Sequence, residues 1–585
     1  MERDWLDVKS RLNAIFYALS QEVEGFDENF GPEIRIADPR FGDFQVNGVL
    51  NFAKKNKKNP RELGEKLLAR ANQSEHLAKC SLELSGPGFI NIRLTPDFLG
   101  QWVNTFCGRC DFVQWLRGQM VVVDYSSPNT AKQMHVGHLR SMIIGESIQR
   151  VLRFCGANVI RDNHIGDWGT QFGILIMAVK RAKIDVSALD PAMALDEFER
   201  LYREGVALTN ENETFLAEAR RELVALQNGD PENLHIWETI NTLSYRAFEE
   251  IYGQMDVAFD YVLGESFYRD KVDRVCHDLG TLKIAEEDQG ALVVFHRTHG
   301  RFKNQPFLIR KSDGASNYAT TDLATVLYRV EKFRADEIIY VTDGRQQDHF
   351  QQLFLTVDRW FSAKNIPLPK LKHVWFGTVL GEDGRAIKTR SGESIKLKQL
   401  IDEGIARALA VVAEKNPDLS VAEQKEIARV VGTGAIKYAD LSQNRTNDYV
   451  FSWDKMLSFD GNTAPYLLYA VARIYALFRK LEISPDGEHN PKSMATFSTP
   501  EELSLARKLV DFPSVVTQVL DDLRPHYLCT YLFELASEFS SFYNANRLIG
   551  ETENVFEKRV LLCRFALYIL KTGLHLLGIE TLEKM

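Results

Sequence analysis

The stretch Met120–Gly173, MVVVDYSSPNTAKQMHVGHLRSMIIGESIQRVLRFCGANVIRDNHIGDWGTQFG, limits the possible folds more than any other part of the chain. Met120 to Val123 is an unbroken apolar run, as expected of a strand covered on both faces in a parallel sheet. A loop of short polar residues with one proline leads to His135-Val136-Gly137-His138. Beyond it Leu139, Met142, Ile143, Ile148, Val151, Leu152 and Cys155 recur at helical spacing, and Gly156 stands where that helix should stop. A short strand, Asn158 to Ile160, then runs into a second turn, His164-Ile165-Gly166-Asp167. Strand, turn, helix, strand is the opening of a doubly wound sheet. Ligands of such sheets lie at the carboxyl ends of the strands, where both histidine turns fall.

The residue types in the first turn suit a nucleotide. A helix amino terminus offers unpaired N–H groups and partial positive charge, against which phosphates settle. Gly137 lets a base or phosphate come close to the backbone. His135 and His138, three residues apart, share one side of the first helical turn and can donate to phosphate oxygens as charge builds during attack at phosphorus. Histidines at a helix start also serve as plain caps; the strand before this pair and the helix after it favour the nucleotide reading.

H-V-G-H, preceded by D-Y-S-S-P-N-T-A-K and followed by H-I-G-D-W-G-T-Q-F-G, resembles the signature region of class I aminoacyl-tRNA synthetases, and within them the bacterial-type arginyl-tRNA synthetase family. H-x-G-H alone also occurs in small adenylyltransferases and indicates only nucleotidyl transfer. The resemblance implies an α/β multidomain chain: a Rossmann-like parallel-sheet catalytic domain with an insertion, an α+β N-terminal domain and an all-α C-terminal anticodon-binding bundle. It places ATP on His135, Gly137, His138, His164 and Gly166. Arginine is a planar, permanently charged fork, recognised best by carboxylates and amide oxygens. The resemblance assigns its pocket to Tyr318, Asp322 and Gln346, around the buried run Ile338–Val341, together with Asp124, Ser127 and Asn129. Some family members carry Glu in place of Asp124. Without the resemblance, Asp322 reads equally as a helix cap and Tyr318 as core packing.

Where class I enzymes carry K-M-S-K-S, this chain reads I-K-T-R-S, in ambiguous register. Lys388 and Arg390 are the expected ATP contacts there, the alternative being two charges solvating a surface loop. In the family a lysine just before the histidine turn takes over the missing charge; Lys132 holds that place, so the expected catalytic group is His135, His138 and Lys132.

At 585 residues with 45% hydrophobic and 26% charged, the chain is several soluble domains long. The expected division is 1–116, a tRNA-elbow-binding domain; 117–375, the catalytic domain with an insertion at about 183–290; 376–457, the signature loop and a helical junction; and 458–585, the helical anticodon-binding domain. Asn59-Pro60-Arg61-Glu62 reads as a helix start, crowded by Lys54, Lys55, Lys57, Lys58, Arg61, Lys66 and Arg70. With a net charge of −9, RNA must be met by local basic surfaces. The resemblance favours tRNA contact at Lys54 and Lys57 over a merely solvated face. Tyr466, Tyr469 and Arg473 are candidates to hold anticodon bases, although aromatics at helical spacing are more often core. Residues 423–440 read as one helix, and Pro465, Pro513 and Pro525 mark helix starts.

A guanidinium differs from every competitor, so no editing site is expected in the insertion. Cys107-Gly108-Arg109-Cys110 is a lone C-x-x-C, read as incidental thiols. Seven scattered cysteines, with no signal peptide and no apolar run of ~18 residues, point to the cytoplasm and no membrane. The implied activity joins arginine to tRNA(Arg) through an arginyl-adenylate, with a first step that needs bound tRNA. ATP enters as its Mg²⁺ complex, no metal is held by the protein, and the chain acts as a monomer. Two rival readings are a small-molecule adenylyltransferase or aminoacyl ligase without tRNA, which would have no use for the helical tail and basic first domain, and a silent RNA-binding relative, which would not be expected to keep the pocket.

Overall fold

Valines buried on both faces at the start of the signature stretch make its strand a central one. The computed structural model describes residues 3–38, 40–108, 110, 112, 114–312, 314, 317–385, 387, 395–487 and 496–585. The chain falls into two units: residues 1–111 with 458–575 and 580–585, and residues 112–457 with 576–579.

In the second unit the chain forms β1 (Met120–Asp124), α1 (Val136–Phe154), β2 (Asn158–Asp162), α2 (Tyr318–Phe333), β3 (Glu337–Tyr340), α3 (Gln347–Lys364) and β4 (Lys370–His373). The sheet order is β4-β3-β1-β2 and every pair is parallel. From β1 the chain steps to β2 on one side; after β3 it steps to β4 on the other. The order therefore reverses between β1 and β3, which opens a crevice beyond their carboxyl ends. Asp124, Asp162 and Tyr340 stand level there, since Asp124 is in register with both of the others. Leu323, Val326, Leu353, Val357, Trp360 and Phe361, from α2 and α3, are buried with Val122 and Ile338 in the core beneath.

Between β2 and β3 the chain makes a long excursion. It holds helices Thr170–Ala182, Pro191–Glu211, Glu213–Gln227 and Pro231–Gln254, then an antiparallel sheet of Glu286–Asp288, Ala291–Val294 and Phe307–Arg310. After β4 come helices Leu397–Lys415 and Val421–Leu441, the second started by a Ser420/Glu423 capping box. This second helix is tied to α1 by a buried ion pair, Arg140 to Asp440 at 2.9 Å. Lys437 on it donates to the carbonyl of Gly578, near the end of the chain.

The first unit joins the two ends of the sequence. An antiparallel sheet in the order Ile34–Ile36, Phe44–Val46, Phe89–Leu94, Cys80–Ser85 carries helix Pro60–Ala71, whose start is capped by the Asn59 side chain at Arg61 N and Glu62 N. The C-terminal helices are Ala464–Lys480, Pro500–Val510, Phe512–Asp522, His526–Ala545 and Glu553–Leu576, with Pro465 and Pro513 in first turns and Pro525 as an N-cap. Asp7 accepts from Ser514 Oγ at 2.8 Å and Thr517 Oγ1 at 2.9 Å, Arg507 pairs with Asp43 at 2.9 Å, and Trp102 stacks on Phe565. Cys107 and Cys110 each face a backbone carbonyl, of Leu561 and Phe106, and none of the seven cysteines is in a disulfide. Among the described residues, no group of three or more His, Cys, Asp or Glu side chains could hold a metal ion, and no helix is long and apolar enough to cross a membrane.

Candidate active site

The histidine turn is built by its own side chains. His135 caps α1, its Nδ1 accepting from Gly137 N at 3.0 Å, while Nδ1 of His138 accepts from His135 N at 3.1 Å. The rings lie with centroids 4.1 Å apart. A Cβ at residue 137 would come within 2.8 Å of the His135 ring, so only glycine leaves the cap intact. Because both Nδ1 atoms accept backbone hydrogens, each ring carries its proton on Nε2 and keeps one donor free for a ligand. Burial lowers the pKa of His135, against the nearby Glu199 carboxylate and with help from Arg345 and Lys132. Burial, then the neighbouring His135, bring His138 down to about 3. Both rings are neutral donors at pH 7.

The two histidine turns meet. Gly166 N donates to Pro128 O and Thr130 N to Gly166 O, at 3.0 and 3.1 Å, so the D-Y-S-S-P-N-T-A-K loop and the H-I-G-D turn run side by side. The Asn129 side chain lies where a Cβ on Gly166 would stand, 1.9 Å from its Oδ1. Ser126, Ser127 and Ala131 have φ of 75°, 47° and 64°, a left-handed backbone that costs non-glycine residues energy and survives only where surroundings enforce it. Those surroundings are polar and buried. Ser126 N donates to Ser141 Oγ (2.9 Å), Ser126 Oγ meets Tyr252 OH (2.8 Å), Ser127 N donates to Asn163 Oδ1 (3.0 Å) and Ala131 N to Ser244 Oγ (2.9 Å). Ser244 and Tyr252 belong to the Pro231–Gln254 helix, within the expected insertion.

Around the crevice the remaining candidates take distinct places. Tyr318, the first residue of α2, is exposed and packs against His349, while Asp322 one turn on meets His349 Nε2 at 2.6 Å. Gln346 closes the short turn after β3 and is exposed. Asp124 is committed internally: Oδ2 accepts from Arg329 Nη2 at 2.6 Å and Oδ1 from Ser127 Oγ at 3.1 Å. Arg329, fully buried, also binds Asp162 at 2.8 Å and lies 5.3 Å from the centre of the Tyr340 ring. Burial raises the pKa of Asp162, which Arg329 opposes.

Glu265 went unnoticed in the sequence. It is half-buried and lines a cleft of about 750 Å³ with Tyr318, Asn317, Thr321, Gln171 and Trp168. Burial pushes its carboxyl up to about 7; His164 opposes this, while the carboxylates of Asp322 and Asp167 add to it. Nothing local in the sequence signals Glu265 or Arg329, since their partners are distant in the chain. His349, three residues past Gln346, lies in the first turn of α3.

Of the ATP candidates, His164 packs against Tyr268 with ring centroids 5.5 Å apart. Lys132 is exposed, its Nζ 5.2 Å from the centre of the Tyr202 ring. Lys388 and Arg390 lie outside the described residues. Just after them, Ile395 O accepts from Val136 N and Leu397 N donates to Met134 O, at 3.0 and 2.8 Å, which binds the end of that loop to the histidine turn.

In the other unit Lys54 and Lys57 are exposed at and just past the end of helix Gly48–Lys55. Several of their basic neighbours are engaged: Arg61 with Glu65, Lys66 with Glu62 and Arg70 with Glu22. Tyr466 packs against Phe533, Tyr469 is half exposed, and Arg473 lies over Tyr543 and donates to Asn544.

This chain is similar to known proteins along its whole length. Residues 8–94 match the family of arginyl tRNA synthetase N-terminal domains, 110–453 the class I (R) tRNA synthetase catalytic domain, and 467–585 the DALR anticodon binding domain. It is 42% identical to the arginine–tRNA ligase of Proteus mirabilis, covering 97% of this chain and 98% of that one. It is 43% identical to that of Cellvibrio japonicus, covering 93% and 94%. The crystal structure of Plasmodium falciparum arginyl-tRNA synthetase superposes with a TM-score of 0.84 at 28% identity, over 99% of each chain. With signature turn, parallel sheet and flanking domains all in agreement, the chain belongs to the class I arginyl-tRNA synthetases.

Proposed function

We infer that the chain is an arginine–tRNA ligase: it activates L-arginine with ATP and transfers the arginyl group to the 3′-terminal ribose of tRNA(Arg), releasing AMP and pyrophosphate. ATP arrives as its Mg²⁺ complex. The arginine carboxylate, already a nucleophile, attacks the α-phosphorus; the α-phosphorus–oxygen bond to pyrophosphate breaks, and arginyl-adenylate remains. A ribose hydroxyl then attacks the adenylate carbonyl and AMP leaves.

The reciprocal histidine cap carries this reading. Two neutral imidazoles with Nδ1 tied to backbone N–H groups have Nε2–H donors that need no reorganisation when charge develops on phosphate oxygens. Lys132 adds positive charge at the same end, and Lys388 and Arg390 are assigned to ATP with it. Little acid–base work is required, so catalysis is chiefly positioning and charge stabilisation.

For arginine, the pocket proposed is Tyr318, Asp322, Gln346, Ser127 and Asn129, with Glu265 as a second carboxylate for the guanidinium. Asp124 takes a supporting part, because its two oxygens already hold Arg329 and Ser127. Residues 1–116 are assigned to the tRNA elbow through Lys54 and Lys57, and 458–585 to the anticodon through Tyr466, Tyr469 and Arg473. The site is proposed to work in a cytoplasmic monomer.

Pyrophosphate exchange into ATP, run with arginine and with or without tRNA(Arg), tests the reading. Exchange that appears only with tRNA supports both the ligase and a tRNA-requiring first step. Exchange without tRNA discards that requirement. Absence of exchange with every amino acid would leave a silent RNA-binding relative as the better description.

A further inference from the structure

We propose that the insertion helix Pro191–Glu211 positions the phosphate end of the active site, with Tyr202 holding the ammonium of Lys132 over its ring. This rests on the reading that Lys132 stabilises charge at phosphorus. Three consecutive residues ahead of the histidine turn are each gripped by the insertion. Ala131, in its left-handed conformation, donates its N–H to Ser244 Oγ. Lys132 places Nζ 5.2 Å from the centre of the Tyr202 ring. Gln133 donates its backbone N–H to Glu199 Oε1 at 2.7 Å and its side-chain amide to Asp196 Oδ1 at 2.9 Å.

Asp196, Glu199 and Tyr202 recur at every third position and so share one face of their helix. The same Asp196 oxygen accepts from Lys396, whose backbone pairs with that of His135. One helix face thus fixes both strands of chain that frame the histidine turn. A lysine side chain has much rotamer freedom, and a charge delivered late must be ordered during the reaction. An aromatic face within about 6 Å attracts the ammonium and narrows that freedom before ATP binds. Tyr202 acts through Lys132 and is a positioning residue.

The test is a double-mutant cycle on tRNA-dependent exchange in the full chain: Tyr202→Leu, Tyr202→Phe, Lys132→Ala and Tyr202→Leu/Lys132→Ala, each with its thermal midpoint measured. Tyr202→Leu is expected to lower kcat about three- to thirtyfold with KM for arginine unchanged. Tyr202→Phe, which keeps the ring face, restores most of the rate. In the Lys132→Ala background Tyr202→Leu adds nothing. Should Tyr202→Leu unfold, Tyr202→Met serves the same comparison, being unbranched and adaptable. A slow Lys132→Ala enzyme beside a normal Tyr202→Leu enzyme would overturn this proposal alone, as would equal losses from Tyr202→Leu in both backgrounds. A normal rate in Lys132→Ala would overturn the assignment of Lys132 and this proposal with it.

Discussion

Asp322 and Glu265 carry the residue-scale argument, because arginine specificity needs anionic oxygens in the plane of a guanidinium. Asp322 is already aimed by His349 and so is ordered before substrate arrives. Replacing it with asparagine keeps the shape and removes the charge. We expect KM for arginine to rise about ten- to a hundredfold, from the strength of a hydrogen bond to a charged group, while KM for ATP stays near normal. Steady-state exchange kinetics check both. In the proposed pocket, Glu265 is the group expected to respond to pH. Burial pushes its carboxyl up to about 7, and a guanidinium beside it favours the ionised form. Binding therefore releases a proton, and affinity should improve as pH rises from 6 to 8, then level off. Calorimetric titration of arginine in buffers of different ionisation enthalpy measures the proton released. Glu265→Gln should abolish that release and weaken binding at pH 8; unchanged proton release would remove Glu265 from the pocket.

At the scale of elements, the unexpected finding is how much of the site is held by the insertion. The sequence of Met120–Gly173 foretold the strand, the helix and both turns, because buried runs, helical spacing and glycine are local signals, whereas capping by the two histidines was the alternative reading there. It did not foretell that helix Pro231–Gln254 would clamp the loop between strand and helix, since a serine and a tyrosine on a helix face announce nothing about what they meet. Tyr252 OH contacts both Ser126 Oγ and Asn163 Nδ2 in a buried setting. Removing that oxygen by Tyr252→Phe leaves two polar groups short of a partner and relaxes a strained turn. The expected cost is about 1–3 kcal/mol of stability, together with a raised KM for arginine. Urea unfolding beside exchange kinetics would show both; a loss of stability with KM unchanged would mean the turn keeps its shape without the clamp.

For the whole molecule, the unit that joins residues 1–111 to the C-terminal helices is where tRNA contact is expected, despite the net charge of −9. Phosphate contacts act through local charge and weaken with salt. The double variant Lys54→Glu/Lys57→Glu should raise KM for tRNA and flatten its dependence on salt, with KM for arginine unchanged at saturating tRNA. Aminoacylation assays across a salt series read this directly; a wild-type salt slope would place the elbow contact elsewhere. Both lysines are exposed in the structure, whereas Arg61, Lys66 and Arg70 are spent on neighbouring carboxylates. Counting basic residues along the chain cannot separate the two groups.

The sequence by itself determined the elements around the histidine turn. A buried valine strand, a histidine cap that tolerates only glycine inside it, and proline-marked helix starts are decided within a few residues of chain. Tertiary structure alone decided the proposed arginine pocket and its supports. Arg329 reaches Asp124 and Asp162 across 205 and 167 positions, and Glu265 acquires its raised pKa from burial, with the carboxylates of Asp322 and Asp167 adding to it. Asp7 finds Ser514 across 507. Desolvation and charge pairing depend on what folding brings within a few ångströms, and no local pattern in the chain encodes that distance.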